Sequence, residues 1–99
     1  MFKITAENSA DRFLLKLEGR LSGAWVEELE ICWRAAAKTQ DGRLIWVDLS
    51  DVDAVDAAGR YLLALMHDAG VRFIAKNCLM SELVREITGL SRVAQLPRG

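Results

Sequence analysis

Four carboxylates, Asp48, Asp51, Asp53 and Asp56, fall within the stretch DLSDVDAVDAAG, which closes on Ala57, Ala58 and Gly59. Acid at that density suggests a bound cation or an acid–base pair, and each has a spacing test. A calcium loop needs oxygen ligands at its first, third and fifth positions, glycine at the sixth and glutamate at the twelfth. Started at Asp51, the loop has Asp53 third, but Val55 fifth, Asp56 sixth and Leu62 twelfth, so the calcium reading fails. An aspartyl-phosphate site would use Asp48 at the end of a central strand and Lys76 at the end of the next. The first strand supplies no acidic pair for magnesium, and the chain is too short for the βα repeats of such a domain. Paired carboxylates for glycosidic chemistry need a substrate cleft, for which this chain has little room.

Other chemistries are equally poorly served. His67 is the sole histidine and lies mid-helix, where a helix-surface residue is expected, so no nucleophile–base pair can be built on it. Cys32 and Cys78 sit far apart in apolar-periodic segments and read as buried, reduced thiols. There is no CxxC pair for zinc and no glycine-rich phosphate loop. The sequence therefore implies no metal and no cofactor. Asp56 reads instead as the N-cap of a helix whose first turn holds Ala57, Ala58 and Gly59. Gly59 there permits a close backbone or tight helix–sheet packing.

The elements that must carry these residues follow from periodicity. FKITAEN alternates apolar residues at Phe2, Ile4 and Ala6, and RFLLKLEG does so at Phe13, Leu15 and Leu17, with the polar turn NSAD between them. That predicts an antiparallel hairpin. Ser22 is the expected N-cap of a first helix, with Trp25, Leu29, Cys32 and Ala36 on its inner face. LIWV, from Leu44 to Val47, reads as a central strand covered on both faces, and SDVDAVD as the loop after it. A second helix is expected with Ala58, Leu62, Leu65 and Ala69 buried and Gly70 as its stop. VRFIAK is a further strand, parallel to the central one through a right-handed crossover. A third helix follows with Leu79, Leu83 and Ile87 on one side and Gly89 as C-cap, and then an extended tail with a short strand around Val93.

The expected class is thus α/β: one domain over residues 1–99, with a mixed, mostly parallel sheet of about four or five strands and helices packed on it. The order is β-β-α-β-α-β-α, with a final β in the tail. Composition agrees, since 52% of the 99 residues are hydrophobic and 27% charged, enough for a real core. No apolar run approaches the 18 residues of a membrane span, and MFKITAENSADR lacks the apolar stretch of a signal peptide. A cytoplasmic location is expected, without membrane insertion. Residues 1–59 carry 7 basic and 11 acidic side chains, and residues 60–99 carry 6 and 3, for a net charge of −1. Neither part is basic enough for a phosphate-backbone footprint, so nucleic acid is not an expected partner.

The succession GRLSGAWVEELE, LIWVDLSDVDAVDAAGRYLLAL, GVRFIAKN and LVREITGL, covering roughly residues 2–90, resembles the STAS domain family, the anti-sigma-factor-antagonist type. Its most specific part is a strand ending in DLS, a short loop, and Asp-Ser-x-Gly opening a helix. The resemblance implies a bacterial signalling module without catalysis of its own. In that family a kinase that is also an anti-sigma factor phosphorylates the Ser or Thr after the Asp, and a phosphatase reverses it. Here Asp56 and Gly59 match the motif, but the acceptor position holds Ala57, which has no hydroxyl. A phosphoserine there would add about −1.5 to −2 charges at a rim already lined with acids. With Ala57 that switch is absent.

By the same resemblance, the contact surface comprises Ser22, Gly23, Ser50, Asp53, Asp56, Ala57, Gly59 and Arg60, on the loop 50–57, the loop after the second strand and the start of the second helix. Tyr61 joins it if exposed. The implied partner is an anti-sigma factor of the serine-kinase-like ATPase kind. Alternatives are an ATPase subunit of an ABC-type lipid transport complex, to which the chain would be an accessory subunit, and a small ligand such as a nucleotide or lipid. Ser50 or Ser22 is the place to which a phosphosite could have moved. The family's domain often ends in another helix, which this sequence leaves missing or very short.

Overall fold

In the computed structural model, which describes residues 2–39 and 44–95, the order is β1 (Phe2–Asn8), β2 (Arg12–Leu21), α1 (Ala24–Thr39), β3 (Leu44–Val55), α2 (Ala57–Asp68), β4 (Arg72–Ile74) and α3 (Cys78–Gln95). The strands form a single sheet in the order β1-β2-β3-β4. β1 and β2 pair antiparallel, with Ile4 opposite Leu17, and the turn between them is held by the Ser9 hydroxyl donating to the Arg12 carbonyl at 2.9 Å. β2–β3 and β3–β4 are parallel, with Leu15 opposite Val47 and Val47 opposite Phe73. The α/β class, the hairpin and the mostly parallel sheet are those expected from the sequence.

Alternation decides which strand residues enter the core. Leu15, Leu17, Leu21, Ile45, Val47 and Leu49 are all buried under the helices. Each fully buried side chain of this size contributes about 1.5–3 kcal/mol. The intervening positions point the other way, where the Arg12 guanidinium lies 5.5 Å over the Trp46 ring.

Several expectations are corrected. The segment 50–57 is not a loop: β3 continues to Val55, pairing Asp51 with Glu18 and Val55 with Leu21 across two register shifts. Val52 is buried between the exposed Asp51 and Asp53, so the stretch is a strand with its acids turned outward. On α1 the inner face is Leu29, Trp33 and Ala36, while Trp25 is 43% exposed and Cys32 lies at the flank. On α2 it is Gly59, Leu62, Leu63 and Met66, one step round from the expected stripe, because the helix is anchored through Gly59; Ala58, Leu65 and Ala69 are exposed. Gly70, at φ +98°, does end that helix. On α3 Met80 replaces Leu79 in the stripe with Leu83 and Ile87. Cys78 is exposed, since it opens α3. Gly89 is not a C-cap: α3 runs on to Gln95, so the backbone at Val93 is helical rather than extended. Residues 96–99 of the expected tail lie outside the described residues.

Candidate functional site

Asp56 organises the end of the molecule where β2, β3 and α2 meet. Its backbone is extended (φ −82°, ψ −179°), the geometry of an N-cap. One carboxylate oxygen accepts the Gly59 N–H at 2.7 Å, and the other accepts the Gly23 N–H at 3.1 Å. Its own N–H donates to the Leu21 carbonyl at 3.1 Å. One side chain thus fixes the start of α2 to the turn that opens α1. The bonds from Gly59 and then Gly23 hold the Asp56 carboxyl below its ordinary pKa, because both favour the ionised form.

Two glycines make this junction possible. Gly23 has φ +57°, a left-handed conformation that glycine adopts without strain, and this conformation brings its N–H to Asp56. A Cβ on Gly59 would lie 2.7 Å from Val55 Cγ1 and 3.1 Å from the Leu21 carbonyl oxygen. The helix start therefore packs directly on backbone.

The remaining acids are also mostly engaged. Asp48 accepts the Ser50 N–H at 2.9 Å. Partial burial pushes its pKa up, but Ser50 and the charges of Lys76 and Lys16 outweigh that, and the net shift is downward. Asp51 lies 3.6 Å from Lys16 in an exposed ion pair. Asp53 is exposed, and its carboxylate has no hydrogen-bond or ion-pair partner among the described residues. Dense acid here is thus a capping residue, a mid-strand acceptor, an ion pair and one uncommitted charge. Among the described residues no three His, Cys, Asp or Glu side chains are grouped to hold a metal.

The eight sequence-predicted contact residues divide by exposure. Gly23, Asp53, Ala57 and Arg60 are exposed and lie about one end of the sheet. Asp56 is half-buried and occupied by its two bonds. Gly59 lies on the buried face of α2. The Ser50 hydroxyl is buried without a hydrogen-bond partner; it lies beside the Asp48 carboxylate without the geometry of a bond. In this conformation it is closed to a kinase. Ser22 is half-buried, and Gly23 stands directly before α1 where Ser22 was expected to cap it; Ser22 contributes its carbonyl, which accepts the Trp25 N–H at 3.1 Å. Tyr61 is 68% exposed and so belongs to the surface.

Sequence reasoning missed Asn77 and the groove that it borders. Asn77 Oδ1 accepts the Met80 N–H at 2.7 Å, capping α3, while Nδ2 donates to the Ser50 carbonyl at 3.0 Å. An asparagine just ahead of a helix was the available signal. Beyond it, Asp53, Val55, Arg60, Leu79, Leu83 and Glu86 line an open groove of about 230 Å³ between the end of β3, the start of α2 and α3. Leu79 is 62% exposed at its rim, and Arg60 meets Glu86 at 3.3 Å across it.

This four-stranded mixed sheet, with its Asp-capped second helix, has the fold of the anti-sigma factor antagonists, the STAS or SpoIIAA-like fold. An anti-sigma factor antagonist from Mycobacterium paratuberculosis superposes with a TM-score of 0.71 over 94% of this chain and 82% of its own, at 18% identity. Unphosphorylated SpoIIAA, also an anti-sigma factor antagonist, gives 0.60 over 97% and 100% at 18% identity. A Shewanella loihica protein with a SpoIIAA-like fold gives 0.60 over 90% and 79%, again at 18% identity. No family model matches the sequence, and no curated protein matches it. No helix among the described residues is long and apolar enough to cross a membrane.

Proposed function

We propose that the protein is a non-enzymatic signalling module that binds a protein partner through the start of α2 and the adjoining end of the sheet. The observation that carries this reading is the build of that helix start. Asp56, Gly59 and Gly23 hold it rigidly against two other elements, yet what it presents outward is Ala57, Arg60 and Tyr61, all exposed. A preorganised, solvent-facing patch with an aromatic anchor is what an interface needs. Sharing a fold with anti-sigma factor antagonists supports a partner of the anti-sigma, serine-kinase-like ATPase kind. With Ala57 where those modules carry their acceptor hydroxyl, and with the Ser50 hydroxyl buried, the surface stays constitutively competent for binding.

The test is a titration of that ATPase, from the same genome, against wild type and Ala57→Asp, with thermal melts of both. A carboxylate at α2's first residue suits the helix dipole but faces Asp53 and Asp56, so the melting temperature changes little. At the interface the charge must be desolvated against a surface fitted to a methyl, which costs about 2–5 kcal/mol, thirtyfold or more in affinity. Equal affinities with equal melting temperatures would move the contact surface elsewhere. Incubation with the kinase and ATP leaves the wild type unlabelled; stoichiometric label on Ser50 or Ser22 would show a relocated switch.

A further inference from the structure

β4 pairs with β3 only at Trp46, Val47 and Asp48. Beyond that point the outer edge of β3 is first stoppered by side chains: Ser50 gives its N–H to Asp48 and its carbonyl takes the Asn77 amide. Among the described residues no strand lies beside that edge from Asp51 to Val55, although the inner edge remains paired with β2. The groove described above runs beside this open edge, with α3 as its opposite wall. Its apolar floor is Ala54, Val55, Met80 and Leu83, with Leu79 exposed at the rim.

An open edge facing a helix, with an apolar floor between, is the arrangement that captures an extended peptide as an added strand. The charge at its margins is acidic. Asp53, Glu82 and Glu86 line it; Arg60 pairs Glu86 at 3.3 Å and Arg85 pairs Glu82 at 4.0 Å, while Asp53 has no partner among the described residues. We infer that this groove binds an extended segment of a partner protein by strand addition to β3, the segment alternating apolar residues with Lys or Arg. The apolar side chains enter between Val55 and Leu83, and the basic ones meet Asp53. The inference deepens the proposed function and rests on it only in taking this end of the molecule as the contact surface.

The experiment selects random twelve-residue peptides displayed on phage against the whole protein, then studies the enriched sequences as synthetic peptides. Enrichment of alternating apolar and basic residues is expected. Their binding falls about tenfold or more in Asp53→Lys and in Leu79→Glu, both changes at exposed positions that leave the melting temperature near wild type. The backbone amides of 51–55 shift in NMR spectra and gain protection from hydrogen exchange on binding, and N-methylation of alternate peptide nitrogens removes binding. No enrichment, unchanged affinity in Asp53→Lys, or a peptide bound as a helix would overturn strand addition. An ATPase partner that is lost in Ala57→Asp but kept in Asp53→Lys overturns this inference and leaves the proposed function standing. Groove peptides that bind while Ala57→Asp leaves the ATPase affinity intact do the reverse.

Discussion

The starts of α2 and α3 solve the same problem with different chemistry. Each has a polar residue immediately before the helix, Asp56 and Asn77, whose side chain accepts the N–H three residues on, from Gly59 and Met80 respectively, both at 2.7 Å. Each cap also reaches to another element. Asp56 must receive a second N–H, that of Gly23, whereas Asn77 must give one to the Ser50 carbonyl. A carboxylate has acceptors only, and an amide has one acceptor and two donors, so the two residues are not interchangeable although both are good caps. The third helical position differs too. In α3 it holds the buried Met80, while in α2 the approach to Leu21 and Val55 leaves no room for a side chain. The first junction is therefore closer and carries charge; the second is looser and neutral.

The largest effect that tests this contrast is steric. Gly59→Ala places a methyl 2.7 Å from Val55 Cγ1 and 3.1 Å from the Leu21 carbonyl oxygen. Val55 can shift in part, but the strand backbone cannot, and an overpacked site of this kind typically loses about 1–3 kcal/mol. Denaturant unfolding should show it as a lower midpoint with an unchanged slope. A fully stable Gly59→Ala would mean that the α2 start is no tighter than that of α3.

Next comes Asn77→Asp. The aspartate still caps Met80 and suits the helix dipole, so a cap-only account predicts no loss. It cannot donate to Ser50, and it sets a carboxylate beside that carbonyl. A loss of about 1 kcal/mol is expected, recovered neither by raised salt nor by Asn77→Ser, which caps but is too short to reach β3. Wild-type stability in Asn77→Asp would reduce Asn77 to an ordinary cap and untie α3 from the sheet.

How far the sequence revealed these junctions depended on whether the signal was local. Asp56 followed by small residues was legible as a cap, and Phe13, Leu15 and Leu17 as one face of a strand, because each pattern lies within one element. The extension of β3 through Val55 was also written locally, in the alternation of Asp51 and Asp53 with the buried Val52. It was hidden by charge, since acids at that density look like a loop; on a strand whose outward face is solvated they are ordinary. What could not be read was pairing between distant residues. Gly23 and Asp56 are 33 positions apart, and Asn77 and Ser50 are 27 apart. Which of two adjacent helical residues turns inward, Trp33 or Cys32, Met80 or Leu79, was likewise settled by packing against the sheet.

The smallest effect is a pH dependence confined to the charged junction. Asp56 and Asp48 both have carboxyls held below their ordinary pKa, Asp56 by the N–H groups of Gly59 and Gly23. A depressed carboxylate stabilises the fold fully above its unfolded pKa, near 3.9, and loses that contribution as pH falls through the lower folded value. Native stability should therefore decline below about pH 4. Asp56→Asn removes one titrating group and keeps one acceptor. Its amide oxygen can hold Gly59, but the NH₂ that replaces the other oxygen then faces the Gly23 N–H, donor to donor. At pH 6 the variant is thus less stable than wild type. As the pH falls below the ordinary carboxylate range and through its lower folded value, the wild-type Asp56 protonates and gives up the same advantage, so the gap between the two narrows. Asn77→Ala, which touches no titrating group, is the control: its deficit should stay constant over the same range. Chemical denaturation of the three proteins at several pH values measures this directly. A gap between wild type and Asp56→Asn that does not narrow in acid would mean that the Gly23 and Gly59 bonds do not depend on the charge of Asp56. The two helix starts would then differ in geometry alone.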